Sequence, residues 1–511
     1  MASSSVEKAA TLEAVPAVSV SLIDNRPVDH ADAYRLPVVD PDTGLEIAQL
    51  AEADACVVRR AVAAARRCFD RGDWSQSNAG RRRDVLEAAA DLIDQHADEL
   101  AAMDSVATGL VIHSAARPQA AAAADWFRYF ARLIDTAPEA MYRQLPDTRT
   151  LVSREPVGVA ALFTPWNIPL MSAALKLSAA LAMGNSCVIK PSEQSPLAVA
   201  RLVALLHDAG LPRGALQLVN GRGTVTGAAL AADPGIDLVS FTGGEHAGRH
   251  IAGEAAKRFA KVTMELGGKS ANIVFADADL ERALDGAITA AFANNGQACL
   301  AGSRILVQKP IADRFIADFV DRANAIRVGR PFVAATELGP QSSRRQMDTV
   351  LAYADTARQD GAEVLTGGSR DERFGEGFYV RPTVAMATDN AARICQEEIF
   401  GPFATFLVFD DADEAVRIAN DTRFGLAAYV WTNRLSRALS LAGQLRSGYV
   451  LINTPMQRER NAPFGGYGQS GLDREGGRWS LDFYSEAKTT VIPHGNRPIP
   501  SFGRDEQVAA R

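Results

Sequence analysis

The chain has 511 residues, with 54 Lys or Arg against 61 Asp or Glu, so its formal net charge is −7. With 47% hydrophobic and 23% charged residues, the composition excludes a disordered chain and predicts a globular protein of roughly two to four domains. A surface that binds nucleic acid is normally basic, so the acidic balance argues against a nucleic-acid partner.

The cysteines are sparse, far apart and without a CxxC pair: Cys56, Cys68, Cys187, Cys299 and Cys395. This pattern favours neither a disulfide framework nor a zinc ribbon, and it predicts a reducing, cytoplasmic location. The chain start lacks the features of a secretory signal. The apolar stretch 157–175 contains Pro165 and Pro169, so we interpret it as strand, turn and helix and expect no membrane association.

The elements predicted along the chain change in character near residue 157. The first twenty or so residues and residues 503–511 look like mobile tails. Residues 52–134 have apolar side chains at helical spacing and are predicted to form several helices. From Val157 short apolar runs (157–163, 186–189, 216–219, 236–241) alternate with helical patterns (170–183, 197–208, 225–232, 247–260). This alternation indicates parallel βαβ units, and a second alternation after Glu265 predicts a second α/β domain.

Residues 237–248 read as a strand, a glycine turn and the start of a helix. Gly243 and Gly244 would let the backbone approach a pyrophosphate, and the helix N-terminus offers free N–H groups. The spacing does not match GxGxxG, however, and a purely structural turn is the simpler interpretation of these residues alone.

Lys190 and Glu193 follow a predicted strand that Pro191 ends. Ligands of open α/β sheets bind beyond the carboxyl ends of strands, so this pair could hold an adenosine ribose. A carboxylate at Glu193 would accept both ribose hydroxyls and repel a 2′-phosphate. From the residues alone, a solvated Lys–Glu pair on a loop is an equal alternative.

Cys299 lies among small residues at the end of a helical run, where a substrate could reach it. It is a candidate nucleophile, although a buried inert cysteine is the more common finding. Glu265, between apolar residues and a glycine pair, is the candidate general base because burial raises the pKa of a carboxyl group. His246 and His250 have metal-ligand spacing but no evident third ligand, so we expect an exposed helix face and no metal site.

Together these segments resemble the aldehyde dehydrogenase superfamily over roughly residues 38–492. The matching motifs arrive in the family's order, and seven in order are specific where one alone is not: Phe163-Thr164-Pro165-Trp166-Asn167-Ile168-Pro169, Lys190-Pro191-Ser192-Glu193, Phe241-Thr242-Gly243, Glu265-Leu266-Gly267-Gly268-Lys269, Gly296-Gln297-Ala298-Cys299, Glu397-Glu398-Ile399-Phe400-Gly401-Pro402 and Pro463-Phe464-Gly465-Gly466.

The resemblance implies an α/β fold with two doubly wound parallel-sheet domains and a small β oligomerisation extension. Carried onto this chain, residues 1–136 and 156–264 would form the NAD-binding domain and residues 265–482 the catalytic domain. Residues 137–155 and 483–495 would form the extension, which joins subunits into a homodimer or homotetramer, and residues 496–511 a C-terminal tail.

The resemblance also assigns roles. Cys299 would attack an aldehyde to form a thiohemiacetal and then a thioester, Glu265 would activate water, and Asn167 would stabilise the oxyanion. NAD is the expected cofactor, with NADP as the alternative, and its contacts would come from Lys190, Glu193, Gly243, Gly244, Pro165, Trp166, Leu266, Glu398 and Phe400. After Gly243 the family often has Ser-Thr-Glu, whereas Gly244-Glu245-His246 stand here, so the phosphate contacts differ.

The segment around Arg458 looks like the branch of the family that handles muconic-type semialdehydes. There a matching arginine can pair with a substrate carboxylate, which predicts a carboxylated or aromatic aldehyde as substrate. The branch's second arginine is missing, since Ala122 stands at its position. A surface ion pair with Glu459 or a structural contact is the alternative for Arg458. For the whole chain, the alternatives are a CoA-acylating dehydrogenase and a catalytically silent relative used for binding.

Overall fold

The computed structural model describes residues 2–28, 32–137, 139–495, 499–500 and 502–503. The first part of the chain forms short strands and several helices: α1 (Ala2–Ala14), β1 (Val18–Ser19), β2 (Ser21–Ile23), β3 (Arg26–Val28), β4 (Arg35–Val39), β5 (Glu46–Ala51), α2 (Ala55–Arg71), α3 (Ala79–Gln95), α4 (Ala97–Thr108) and α5 (Arg117–Asp135). The next part alternates strands and helices: β6 (Ala140–Tyr142), β7 (Thr148–Pro156), β8 (Val159–Phe163), α6 (Pro169–Ala182), β9 (Ser186–Lys190), α7 (Leu197–Asp208), β10 (Leu216–Leu218), α8 (Ala228–Ala232), β11 (Leu238–Thr242), α9 (Glu245–Ala256) and β12 (Lys261–Glu265).

The second half continues the alternation: β13 (Ala271–Val274), α10 (Leu280–Phe292), β14 (Arg304–Gln308), α11 (Ala312–Ala325), α12 (Arg344–Gln359), β15 (Glu363–Thr366), β16 (Thr383–Met386), α13 (Arg393–Gln396), β17 (Phe403–Phe409), α14 (Ala412–Asn420), β18 (Ala427–Trp431), α15 (Leu435–Gln444), β19 (Tyr449–Ile452), β20 (Gly471–Leu472), α16 (Gly477–Phe483) and β21 (Ser485–Pro493). None of the helices in the described ranges is both long and apolar enough to cross a lipid bilayer.

The first large sheet has the strand order β20-β12-β11-β8-β9-β10-β2-β3, and β12, β11, β8, β9 and β10 run parallel. Side chains of a strand alternate between faces, so Ala160 and Leu162 pack with helices α3 to α7 on one face. Val159, Ala161 and Phe163 pack with α2 and α9 on the other. Both faces are therefore covered by helices, which is the doubly wound arrangement.

The second large sheet has the order β15-β16-β17-β14-β13-β18-β19, parallel except for β15. Ile273 and Leu407 pack toward α12, α14 and α15 on one face. Val307 and Phe406 pack toward α10 and α11 on the other. This sheet is also doubly wound.

A third, small sheet lies outside both. In it β21 and β6 pair antiparallel with β7, from Ser485 opposite Pro156 to Pro493 opposite Thr148. Several of its large hydrophobic side chains are exposed, among them Tyr142 and Val491, each 58% accessible. A sheet with an uncovered apolar face is suited to contact with another surface.

The structure differs from the sequence predictions at both ends. The expected N-terminal tail is wrong, since residues 2–14 form α1, and Lys8 Nζ lies 2.7 Å from Asp40 and 2.6 Å from Asp42. The ion pairs with these two buried carboxylates attach α1 to the rest of the chain. Near the other end β20 pairs with β12, so the predicted span 265–482 returns to the first sheet before it ends. The predicted tail 496–511 lies almost wholly outside the described residues.

Candidate active site

Four parallel strands of the first sheet end at one edge. The register places Phe163 opposite Lys190 and Phe241, and Thr242 opposite Glu265, so the carboxyl ends of β8, β9, β11 and β12 are aligned. In open α/β sheets this edge is where ligands bind. Asn167 lies in the loop that follows β8 and Glu265 is the last residue of β12, so the sheet brings both to the same edge.

The loop that carries Cys299 is held by a sharp reversal after α10. Asn294 and Asn295 have left-handed backbones, with φ of 56° and 59°, a conformation that asparagine tolerates better than most residues. Asn295 Nδ2 donates to the carbonyls of Gly109 and Pro340, 3.0 Å each. A Cβ at Gly296 would lie 2.2 Å from the backbone of Gly401. The loop is therefore fixed on both sides just before Cys299.

The half-buried Cys299 lines a cavity of about 300 Å³. Burial raises the pKa of its thiol to about 12, the negative charges of Glu398 and Glu265 add to this, and Arg458 opposes it. The thiol is therefore protonated at neutral pH, and a nucleophile at this position needs a base within reach.

Glu265 lines the same cavity and is 4% exposed, and neither carboxyl oxygen has a hydrogen-bond partner among the described residues. Burial raises its pKa, and the nearby Glu475 raises it further, while Lys176, Arg458 and Arg474 lower it. A carboxyl group with a raised pKa and free oxygens can take a proton from a thiol or from water.

The Asn167 amide lies on the wall of this cavity and is 6% exposed. Its Nδ2 donates to Gln297 O at 2.8 Å, and its own backbone carbonyl accepts from Asn294 Nδ2 at 3.1 Å. These bonds leave Nδ2 a second N–H and fix the side chain beside the Cys299 loop. Such a donor could stabilise an oxyanion.

Arg458 also lines the cavity, with its guanidinium 4.2 Å from the Phe464 ring and 5.2 Å from the Trp126 ring. Its Nε and Nη2 are buried without a hydrogen-bond partner among the described residues. Burial lowers its pKa, and Glu475, Glu265 and Cys299 raise it. The exposed Glu459 carboxylate instead accepts from Asn461 at 3.3 Å, so the cationic side chain faces the cavity unpaired.

Lys190 and Glu193 lie at the carboxyl end of β9, away from the residues that line the cavity. Lys190 is 4% exposed, and its Nζ donates to Pro191 O at 2.9 Å and lies 3.6 Å from the half-buried Glu193. The ammonium donor and the carboxylate are neighbours and could together bind a vicinal diol.

A second carboxylate, Glu398, lies beside the segment that joins β12 to β13. Glu398 accepts from the Gly268 N–H at 3.0 Å, and burial raises its pKa to about 7. A Cβ at Gly267 would lie 1.9 Å from Glu398 Oε2, so glycine is required for this approach. The Trp166 and Phe400 rings meet edge to face at 5.2 Å, and Phe400 has φ of 58°.

The remaining predicted cofactor contacts are spread along the same edge of the sheet. Gly243 N donates to Glu265 O at 3.0 Å, exposed Gly244 precedes α9, Pro165 is buried, and Leu266 lines the cavity. The unusual Glu245 pairs with Arg249 at 2.5 Å and with Arg423 at 3.3 Å. Its negative charge is therefore compensated within the chain.

In sum, the cavity brings together Cys299, Glu265, Asn167, Leu266 and Arg458, and the other predicted residues lie outside its lining. Sequence reasoning missed Lys176, Glu475 and Gln119. A signal existed for Lys176, because it is the single charged residue of the buried helix α6. His246 and His250 are exposed, and no cluster of metal-ligating side chains occurs in the described part of the chain.

The sequence and the fold are similar to those of known proteins. The sequence model of the aldehyde dehydrogenase family matches residues 28–490. A betaine aldehyde dehydrogenase of Bacillus subtilis (strain 168) is 40% identical over 454 residues, which cover 88% of this chain and 92% of the relative. A 2-aminomuconic 6-semialdehyde dehydrogenase of a Pseudomonas species is 38% identical over 481 residues, which cover 92% and 97%.

Among solved structures, betaine aldehyde dehydrogenase from Staphylococcus aureus in complex with NAD+ superposes with a TM-score of 0.95 at 36% identity, covering 98% of this chain and 100% of that chain. This match confirms the α/β fold class predicted from the sequence.

Proposed function

The chain belongs to the aldehyde dehydrogenase family, and we propose that it oxidises a carboxylated or aromatic aldehyde to the acid with NAD, using Cys299 as nucleophile. The observation that carries the assignment of residues is the shared cavity, in which a protonated thiol, an unpartnered carboxyl group and a side-chain amide meet.

The first step is activation of the nucleophile. Glu265 accepts the proton of the Cys299 thiol, and the thiolate attacks the aldehyde carbon to form a thiohemiacetal. The charge that develops on the aldehyde oxygen is stabilised by the Asn167 Nδ2–H and the Cys299 backbone N–H. Because the thiol pKa is raised to about 12, this proton transfer is needed at neutral pH.

Bound NAD would supply the hydride acceptor that conversion of the thiohemiacetal to a thioester requires. Glu265 releases the proton of the first step to solvent and, ionised again, takes a proton from a water molecule, whose oxygen attacks the thioester carbon. The Cys299 thiolate leaves and takes this second proton from Glu265. The products are the free carboxylic acid and the restored thiol. A buried carboxyl group next to the cysteine favours water over CoA as the acyl acceptor.

The residues present fit a dinucleotide. Glu193 and Glu398 are carboxylates that can each accept two hydroxyls, as the two riboses of NAD require. The Gly268 N–H donates to the Glu398 carboxylate at 3.0 Å. This approach is possible only because Gly267 has no Cβ, which would collide with Glu398. A carboxylate at Glu193 disfavours the extra phosphate of NADP, so we expect NAD to be preferred.

Support for a carboxylated aldehyde comes from Arg458. An unpaired guanidinium in a mostly apolar cavity is costly unless a ligand supplies the counter-charge. A carboxylate on the substrate would supply it. The similarity to the Pseudomonas 2-aminomuconic 6-semialdehyde dehydrogenase supports the same substrate class.

The test is a screen of NADH formation over aliphatic, aromatic and carboxylated aldehydes, with and without CoA. We expect CoA-independent oxidation and the highest kcat/KM for aldehydes that carry a carboxylate. Equal kcat/KM for acidic and neutral aldehydes would contradict the proposed substrate class, and a requirement for CoA would contradict hydrolysis.

We further propose that the small sheet of β6, β7 and β21 joins subunits into a homodimer or homotetramer in the cytoplasm. The exposed Tyr142 and Val491 of this sheet support oligomerisation. The free cysteines support a cytoplasmic location. Light scattering of wild type and Val491→Glu tests the assembly. We expect an oligomer that the charged side chain dissociates, and a monomeric wild type would contradict it.

A further inference from the structure

The orientation of the Gln119 side-chain amide, on α5, is determined by its neighbours. Asn294 Nδ2 donates to two backbone carbonyls, Asn167 O at 3.1 Å and Gln297 O at 3.0 Å. Carbonyl oxygens only accept, so the Asn294 amide has one possible orientation and its Oδ1 must face Gln119. Gln119 Nε2 donates to that oxygen at 3.2 Å.

This leaves Gln119 Oε1 directed away from Asn294. The residue is 9% exposed, and Oε1 is buried without a hydrogen-bond partner among the described residues. Gln119 lines the same cavity as Cys299. A buried acceptor is nearly always satisfied in proteins, and a ligand in the cavity that Gln119 lines can supply the missing donor.

The other residues that line the cavity indicate what kind of ligand could donate to Gln119 Oε1. Ile168, Met171, Leu175, Leu300 and Phe464 make the wall mostly apolar. Arg458 has only donors and can bind only an acceptor such as a substrate carboxylate, whereas Gln119 Oε1 can only accept, so the two side chains recognise different groups of one ligand. In mostly apolar pockets, a few polar groups decide orientation and specificity.

We infer that Gln119 Oε1 accepts a hydrogen bond from a hydroxyl or amino group of the substrate. The inference rests on the proposed function, because it places the aldehyde in the cavity at Cys299. The preferred substrate then carries three recognisable groups, an aldehyde at Cys299, a carboxylate at Arg458 and a hydrogen-bond donor at Gln119.

The test uses benzaldehyde and its hydroxy-substituted and fluoro-substituted forms, with the substituent at each ring position in turn. Fluorine is small and cannot donate a hydrogen bond, so comparing the hydroxy and fluoro aldehydes at one ring position measures the effect of the donor. For wild type we expect one hydroxy position to exceed its fluoro partner about tenfold in kcat/KM, the typical effect of one buried hydrogen bond. Equal values at every position would overturn the inference even if all the aldehydes are oxidised.

The variant Gln119→Met keeps the size of the side chain and removes its acceptor. It also removes the bond to Asn294, so both aldehydes of a pair lose some activity, and the measurement is their ratio. We expect the ratio to fall to about one, whereas Met171→Leu, on the same cavity wall, should leave it unchanged. A ratio that survives Gln119→Met would assign the preference elsewhere, and absence of any oxidation by wild type would overturn the proposed function itself.

Discussion

Lys176 and Glu475 are 299 residues apart in the sequence and form a buried ion pair, with 2.6 Å between Nζ and Oε1. Ser240 Oγ completes the cluster, accepting from Lys176 at 2.8 Å and donating to Glu475 at 3.2 Å. Both charges act on Glu265, since Glu475 raises the pKa of that carboxyl group and Lys176 lowers it. The two members of the pair therefore act in opposite directions on the proton affinity of the proposed base.

Glu475→Gln should lower both stability and the pKa of Glu265. Removing one partner of a buried pair leaves the other charge uncompensated, which costs about 3–5 kcal/mol. With the negative charge gone, Glu265 becomes deprotonated at lower pH, so the rising limb of kcat/KM against pH shifts to lower pH. Urea unfolding and the pH profile measure the two effects. The exposed Glu486→Gln is the control, and an unchanged limb would contradict the coupling.

Glu265→Gln should reduce turnover and stabilise the fold. Loss of a general base costs about 10²–10⁴-fold in rate. A carboxyl group whose pKa is raised by folding destabilises the protein as pH rises above the unfolded pKa, and this penalty is complete above the folded pKa. The amide cannot ionise, so the variant should have the higher Tm at pH 8 and the same Tm near pH 4. A lower Tm at pH 8 would show that the charged form is stabilised.

The positions of the parallel strands could be predicted closely because buried strands are short apolar runs between turn residues. The run 157–163 became Val159–Phe163, and the helix predicted over 197–208 has those bounds. Cys299 and Glu265 are candidates from their sequence surroundings and Asn167 from the family resemblance, and the aligned ends of β8 and β12 explain why Asn167 and Glu265 lie near each other. Lys176 with Glu475, and Gln119 with Asn294, depend on contacts between residues distant in sequence, which no local pattern reveals. The helix α1 was missed because its anchors, Asp40 and Asp42, lie beyond it in the chain.

Cys299→Ala should abolish NADH formation, by about 10⁴-fold or more, because no other cysteine lines the described cavity. Stability should change little, since the side chain is half-buried. The exposed Cys56→Ala is the matched control and should retain full activity. The thiol pKa of about 12 also predicts that inactivation of wild type by iodoacetamide accelerates about tenfold per pH unit. Retained turnover in Cys299→Ala would exclude it as the nucleophile.

Glu193→Gln should relax the preference for NAD. The half-buried carboxylate of Glu193 lies 3.6 Å from Lys190, and its charge would repel the 2′-phosphate of NADP. The amide keeps the shape and one acceptor, so kcat/KM for NADP should rise about tenfold, the effect of roughly 1.4 kcal/mol. The kcat/KM for NAD should fall by less than tenfold. Comparable kcat/KM for both cofactors in wild type would show that Glu193 does not discriminate.

Arg458→Met should remove the preference for carboxylated aldehydes. Methionine preserves much of the packing between Phe464 and Trp126, whose rings lie 4.2 Å and 5.2 Å from the guanidinium, and it removes the charge. A hydrogen bond to a charged group contributes about 1.5–3 kcal/mol, so kcat/KM for an acidic aldehyde should fall about 10- to 100-fold.

Neutral aldehydes separate substrate recognition from the general electrostatic role of Arg458. Its positive charge lowers the pKa of both Cys299 and Glu265, so Arg458→Met should raise both and move the pH profile of every substrate to higher pH. At a pH where Glu265 is ionised in both wild type and Arg458→Met, only the kcat/KM for acidic aldehydes should remain reduced. Arg458→Lys keeps a charge but not the planar guanidinium, and should restore the pH profile while recovering only part of the acidic preference. An equal loss for acidic and neutral aldehydes at high pH would assign Arg458 to packing, because only recognition of the carboxylate distinguishes the two substrates once Glu265 is ionised.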